Sequence, residues 1–180
     1  MKTEREQLID WIDLLSVKTG EEFTLSSGAK SNIYIDLKKT SQHNRCYKLL
    51  AKLLHDKMFE EFSVINAVAG VVLGGCHLAS IVAMHHQLGL DVIYIRNESK
   101  DHGTKNLIER PIMTKGDSVV LLEDVVTTGA SALKAAKLLT KNDFEVLGIL
   151  SVVDRRENKT PYIGGMYKFA SLIDFEELTP

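Results

Sequence analysis

The sequence predicts an α/β domain, a mostly parallel sheet flanked by helices. Three observations carry that reading. Short apolar runs alternate with helical patterns from residue 64 onward. The runs are unbroken rather than alternating, as strands buried on both faces require. Chemistry-bearing residues cluster just after those runs, where open parallel sheets place their ligands. The chain has 180 residues, 44% of them hydrophobic and 26% charged, enough for one real core without disulfides.

Leu8, Trp11, Ile12 and Leu15 recur at spacings of three and four, so the chain opens with an amphipathic helix. Phe23 to Asp36 holds a Ser/Gly turn cluster, then a short strand, Ile33-Tyr34-Ile35. A helix is expected from about Asn44 to Met58, with Tyr47, Leu50 and Leu54 on one face. Val64 to Gly70 reads as a buried strand running into Gly74-Gly75. Leu78, Ile81, Val82 and His85 mark a helix ending near Gly89. Asp91 to Arg96 is a strand. Residues 97 to 110 are too polar for a core element. Ser118 to Leu122 is a strand, Ala132 to Lys141 a helix and Glu145 to Val153 a strand.

The formal net charge of −2 argues against a general nucleic-acid binder. No apolar stretch reaches the length of a membrane span, and Met1 to Gln7 lack a signal-peptide core. Two cysteines, Cys46 and Cys76, make neither a disulfide scaffold nor a zinc module. A reducing, cytoplasmic location is the expectation.

The chemistry concentrates in Val119-Val120-Leu121-Leu122-Glu123-Asp124-Val125-Val126-Thr127-Thr128-Gly129-Ala130-Ser131. A hydrophobic strand delivers two adjacent carboxylates to its end, and a Thr/Gly/Ser turn opens the next helix. Backbone N–H groups and hydroxyls at a helix start bind phosphate. Carboxylates beside that cradle would repel phosphate unless sugar hydroxyls or a divalent cation satisfied them. Neither a Walker loop nor a Gly-x-Gly-x-x-Gly fingerprint is present. Any one of these features alone fits an ordinary strand–turn–helix connection; the full run does not.

Four further pieces lie along the chain. Arg96-Asn97-Glu98-Ser99-Lys100-Asp101-His102-Gly103 is a cationic loop after a strand, suited to closing over an anionic leaving group. Phe23-Thr24-Leu25-Ser26-Ser27-Gly28-Ala29-Lys30-Ser31 precedes the Tyr34 strand. Asp154-Arg155-Arg156-Glu157 puts a planar guanidinium at a strand end, where it suits a planar carboxylate. Ala69-Gly70-Val71-Val72-Leu73-Gly74-Gly75 brings backbone amides to a second anion.

In this order the five pieces resemble the type I phosphoribosyltransferases, and the Phe-Thr-Leu-x-Ser-Gly and Lys-Asp-His-Gly strings resemble the orotate phosphoribosyltransferase branch. The resemblance implies transfer of ribose 5-phosphate from phosphoribosyl diphosphate (PRPP) to orotate, in the route to UMP. It implies one domain over 1–180, with a small hood built from about 1–40 and 155–180. Glu123 and Asp124 would face the ribose, and Thr127, Thr128, Gly129, Ala130 and Ser131 its 5′-phosphate, with Val125 and Val126 bordering PRPP. Arg96, Lys100, His102 and Gly74 would contact the diphosphate. Lys100, His102 and Asp124 would be the catalytic set. Ser26, Tyr34, Thr127 and Arg155 would border orotate, with Ile35 beside them. The implied cofactor is Mg²⁺, held mainly by PRPP. The implied assembly is a homodimer sharing the 96–107 loop, with no nucleic-acid or membrane partner. Asn97 departs from the second basic residue that many members carry there. A transferase for a purine or uracil, or a PRPP-sensing regulator, is the alternative reading.

Overall fold

The structure is a computed structural model, and it describes residues 1–24, 28, 30–86, 89–96, 106–111 and 116–178. Helix α1 (Glu4–Ser16) starts on a reciprocal cap. Glu6 N–H donates to the Thr3 hydroxyl at 3.2 Å, and Thr3 N–H donates to the Glu6 carboxylate at 2.7 Å. Strands β1 (Val17–Thr24) and β2 (Lys30–Ile35) form a separate antiparallel hairpin. β1 has no place in the sequence reading. Most of it is exposed, so it carries no apolar signal.

Helix α2 (Lys38–Ser41) is one short turn. Helix α3 (Cys46–Glu61) buries Cys46, Leu50, Ala51, Leu54 and Met58. The sequence places Tyr47 on that face with Leu50 and Leu54, but in the structure it is 38% exposed. Its neighbour Cys46 takes the inward position one residue earlier.

The central sheet comprises β3 (Ala67–Val71), β4 (Asp91–Ile95), β5 (Ile108–Glu109), β6 (Ser118–Val126), β7 (Glu145–Asp154), β8 (Tyr162–Ile163) and β9 (Tyr167–Asp174). Its order is β5-β4-β3-β6-β7-β9-β8. The four inner pairings are parallel, and the two edge pairings, β4 with β5 and β8 with β9, are antiparallel. Helices α4 (Gly74–His85) and α5 (Ala130–Lys141) make the crossovers into β4 and β7.

The alternation of side chains splits the apolar run of β6 between two cores. Val120 and Leu122 pack with α1, α3 and α4, including Leu8, Ile12, Leu50, Leu54, Leu78 and Val82. Val119 and Leu121 pack with Ala132, Ala135, Ala136 and Leu139 of α5. All four strand residues are fully buried. That two-sided burial confirms the mostly parallel sheet flanked by helices. Among the described residues no helix is long and apolar enough to cross a membrane.

The C-terminal segment departs from expectation. Tyr167–Asp174 is not hood. It pairs in parallel with β7 from Ile149↔Phe169 to Asp154↔Asp174. Tyr167, Phe169 and Ile173 are its buried residues. Their apolar signal is diluted by Lys168, Ser171 and the preceding Gly164-Gly165, which hid the strand.

Candidate active site

β6 runs four residues further than the sequence predicts, to Val126, and so carries the two acids within the strand itself. Glu123 is 7% exposed, and its Oε1 has no hydrogen-bond partner among the described residues. Burial, and then the neighbouring Asp124 charge, push its pKa up to about 8. Asp124 is more open. Its Oδ1 accepts the Val125 N–H at 2.8 Å. Gly74, at the start of α4, lies against the same carboxylate so closely that a Cβ at residue 74 would collide with it.

After Val126 the chain turns through Thr127, Thr128 and Gly129. Gly129 sits at φ 76°, a left-handed conformation that glycine adopts without penalty. Helix α5 starts at Ala130, whose N–H donates to the Thr128 hydroxyl at 3.3 Å. Glu123, Asp124 and the whole 125–131 segment line one cavity of about 420 Å³, with Lys38, Gly74 and residues 71–73 on its other walls. The structure therefore brings together Gly74 and every predicted residue from Glu123 to Ser131.

A smaller pocket of about 260 Å³ adjoins it, lined by Thr24, Tyr34, Ile35, Lys38, Asp124, Val125, Thr127 and Arg155. Tyr34 stacks on Phe23 with ring centroids 5.5 Å apart. The Arg155 guanidinium donates to Ile33 O at 3.0 Å and to Ser31 Oγ at 2.7 Å, and lies 4.5 Å above the Phe175 ring. Burial draws its pKa below the ordinary arginine value. A third cavity, about 630 Å³, opens on the other side of Arg155 toward Tyr162 and Glu176. Tyr34 borders the small pocket and not this one.

The structure separates the two adjacent arginines. Arg156 is buried and grips Asp154 with two bonds, Nε to Oδ1 at 2.9 Å and a terminal nitrogen to Oδ2 at 3.0 Å. It is a strut. Arg155 points at the pocket.

Not every expected residue joins the cluster. Arg96 directly follows β4 and pairs with Glu109, its Nε 3.1 Å from Oε1; it is not on the wall of the acid-lined cavity. Ser26, Lys100 and His102 lie outside the described residues. Lys38 lines both cavities and was missed by the sequence reading. Its signal was available: an Asp-Leu-Lys string directly at the end of the Tyr34 strand. No cluster of three or more His, Cys, Asp or Glu side chains able to hold a metal ion occurs among the described residues.

The arrangement is one that suits a sugar-phosphate transferase: acids at a strand tip, amides and hydroxyls at a helix start, and a separate pocket with a guanidinium. Residues 38–177 match the phosphoribosyl transferase domain family. The chain is 38% identical over 156 residues to orotate phosphoribosyltransferase of Thermococcus kodakarensis, covering 87% of this chain and 83% of that one. It is 41% identical over 157 residues to that of Pyrococcus abyssi, with the same coverage. Among solved structures, orotate phosphoribosyltransferase of Mycobacterium tuberculosis superposes with a TM-score of 0.82 at 29% identity, covering 99% of this chain and 100% of that one. The Aeropyrum pernix enzyme gives 0.75 at 28%, covering 98% and 96%. The chain therefore belongs to the phosphoribosyl transferase family, in its orotate phosphoribosyltransferase branch.

Proposed function

We propose that the chain transfers the ribose 5-phosphate group of PRPP to N1 of orotate, releasing diphosphate and orotidine 5′-monophosphate in the formation of UMP. One observation carries this reading. The acid-lined cavity and the Tyr34–Arg155 pocket meet at Lys38, Asp124, Val125 and Thr127, so a sugar in one can reach a ring in the other.

Glu123 and Asp124 orient the ribose hydroxyls. Glu123 arrives with a buried oxygen lacking a partner, and a hydroxyl donor relieves that deficit. The amides and hydroxyls from Thr127 to Ser131 take the 5′-phosphate at the α5 N-terminus. Gly74 lets the chain approach the diphosphate. Lys100 and His102 supply positive charge to that leaving group, with Lys100 contributing most; Arg96 joins them only by giving up its pairing with Glu109. Ser26, Tyr34, Thr127 and Arg155 select orotate, Arg155 by a planar pairing with the ring carboxylate.

The reaction needs no covalent nucleophile. As C1′ loses its oxygen, positive charge grows on the sugar and negative charge on the diphosphate, and preorganised groups stabilise both. Two carboxylates fit a magnesium ion that arrives on PRPP, and among the described residues no third metal-binding side chain joins them. When bound, such an ion draws charge from the leaving group. The chain works in the cytoplasm as one domain over 1–180, and as a homodimer whose 96–107 loop reaches the neighbouring site.

The test is spectrophotometric. Orotate, uracil, hypoxanthine and adenine are each supplied with PRPP, with and without Mg²⁺. Loss of orotate alone, only with Mg²⁺, is the expected outcome. Loss of another base alone overturns the substrate assignment.

A further inference from the structure

Four residues line both the acid-lined cavity and the small pocket: Lys38, Asp124, Val125 and Thr127. If the sugar sits in one space and the base in the other, the new bond forms at this shared wall. Two of the four are charged. Asp124 already has a role on the sugar. Lys38 has none, yet it is the one cation on the wall of the acid-lined cavity among the described residues.

The chain places Lys38 firmly. β2 ends at Ile35, Leu37 is fully buried beneath the turn, and Lys38 opens α2. Its ammonium stands 2.6 Å from Asp36 Oδ1. The Asp36 carboxylate, with Tyr34 and Asp124 adding at longer range, holds the amine above the ordinary lysine range against partial desolvation. Lys38 is thus a fixed positive charge. The other charged or titratable groups on these walls are Asp124, Glu123, Tyr34 and Arg155.

The chemistry of the base calls for such a charge. N1 of orotate lies between the C2 carbonyl on one flank and the C6 carboxylate on the other. N1 attacks only after losing its proton, and the resulting charge spreads onto the C2 oxygen. The ring then carries negative charge on both flanks beside Asp124. A pocket suited to it needs two cations, and this one has two, Arg155 and Lys38. Arg155 is tied from the hairpin side by Ile33 and Ser31.

Building on the orotate reading, we propose that Lys38 is a catalytic residue that contacts the N1–C2 carbonyl edge of the base and stabilises its anion. The N1 proton leaves to water. The N1 electron pair then forms the bond to C1′, and the C1′–oxygen pair departs with diphosphate. Lys38 remains protonated and lends charge only. Asp36 is a positioning residue, holding the ammonium at the junction.

The test compares wild type with Lys38→Met and Lys38→Arg, all first checked for folding by circular dichroism. Orotate consumption is followed from pH 6 to 10, and PRPP binding is measured separately by calorimetry. In Lys38→Met, kcat/KM for orotate at neutral pH is expected to fall about 50-fold or more, with the rising limb of the profile moved to higher pH by about one unit. PRPP affinity stays within about threefold, since Lys38 acts on the base. Lys38→Arg keeps the limb in place, because it keeps the charge.

A small loss in Lys38→Met, an unmoved limb, or a parallel loss of PRPP affinity overturns the role. If Lys38→Met does not fold, a displaced limb in Lys38→Arg overturns it and an unmoved one supports it. A wild-type chain that leaves orotate untouched overturns the functional reading and this role with it. Active wild type with an indifferent Lys38→Met overturns this role alone.

Discussion

The two cavities are built in opposite ways. The acid-lined cavity comes mostly from one continuous stretch, Glu123 to Ala132, carried on the strand at the centre of the sheet. The small pocket is assembled from a hairpin outside that sheet, the tip of β6 and an arginine after β7. On the function proposed above, the first is the sugar seat and the second the base seat, and the first inherits the rigidity of the main core. The base seat depends on a few cross-chain contacts, chiefly Arg155 to Ile33 and Ser31 and Phe23 on Tyr34. Grip on the sugar and choice of base should therefore be separable by mutation.

The sharpest break would come from Arg155→Ala. Removing one partner of a charged pair typically costs about 2–5 kcal/mol. We expect KM for orotate to rise about 30-fold or more while KM for PRPP stays nearly constant, as steady-state kinetics with each substrate varied would show. Equal damage to both constants would mean that the two seats are one unit.

Next in size is a stability effect on the sugar side. Leu122 is fully buried in the core that α1, α3 and α4 pack against. Leu122→Ala should lower unfolding free energy by about 2–5 kcal/mol, measured by urea titration.

Glu123 adds a pH signature of the sugar seat. The folded chain holds this proton to about pH 8, whereas the ordinary value is 4.5. Folded protein therefore binds more protons between those limits. Its contribution to stability is fully present below about pH 4.5 and is lost as pH climbs through 8. Glu123→Gln should flatten that decline, by on the order of 2–4 kcal/mol across the window. Urea titrations of both proteins at pH 5 and pH 8 would check it. A wild-type curve that rises over this range would be the opposite sign.

The smallest effects belong to the β1–β2 hairpin and the turn. Gly129→Ala meets a positive φ of 76° and Ile163 carbons at 3.3 Å. A cost of about 1–2 kcal/mol, with weaker PRPP binding, is expected by calorimetry. Phe23→Leu removes an aromatic pair worth about 0.5–1.5 kcal/mol. It should raise KM for orotate a few-fold without touching PRPP.

The same contrast explains what the sequence made legible. Glu123 to Ser131 are consecutive, so one string of letters spelled the sugar seat. The apolar runs of β3, β6 and β7 likewise announced the sheet. The base pocket spans Thr24 to Arg155, and no local pattern joins them. Arg155 and Arg156 look alike in the sequence; only the fold pairs one with Asp154 and leaves the other facing the pocket. Exposed β1 and polar-diluted β9 gave no clear periodicity, because their partners, rather than their own residues, make them strands. Lys38 was passed over because a lysine after a strand is normally a solvated surface charge.

One backbone contact links the two seats. Arg155 N–H donates to Val126 O at 2.8 Å, joining the end of β7 to the strand that leads into the phosphate turn. The spacing between the Arg155 backbone and the Thr127–Ser131 turn is thereby set by peptide geometry. Redesign of the hairpin can change which ring is admitted. It leaves untouched the backbone tie between the end of β7 and the strand that leads into the Thr127–Ser131 turn.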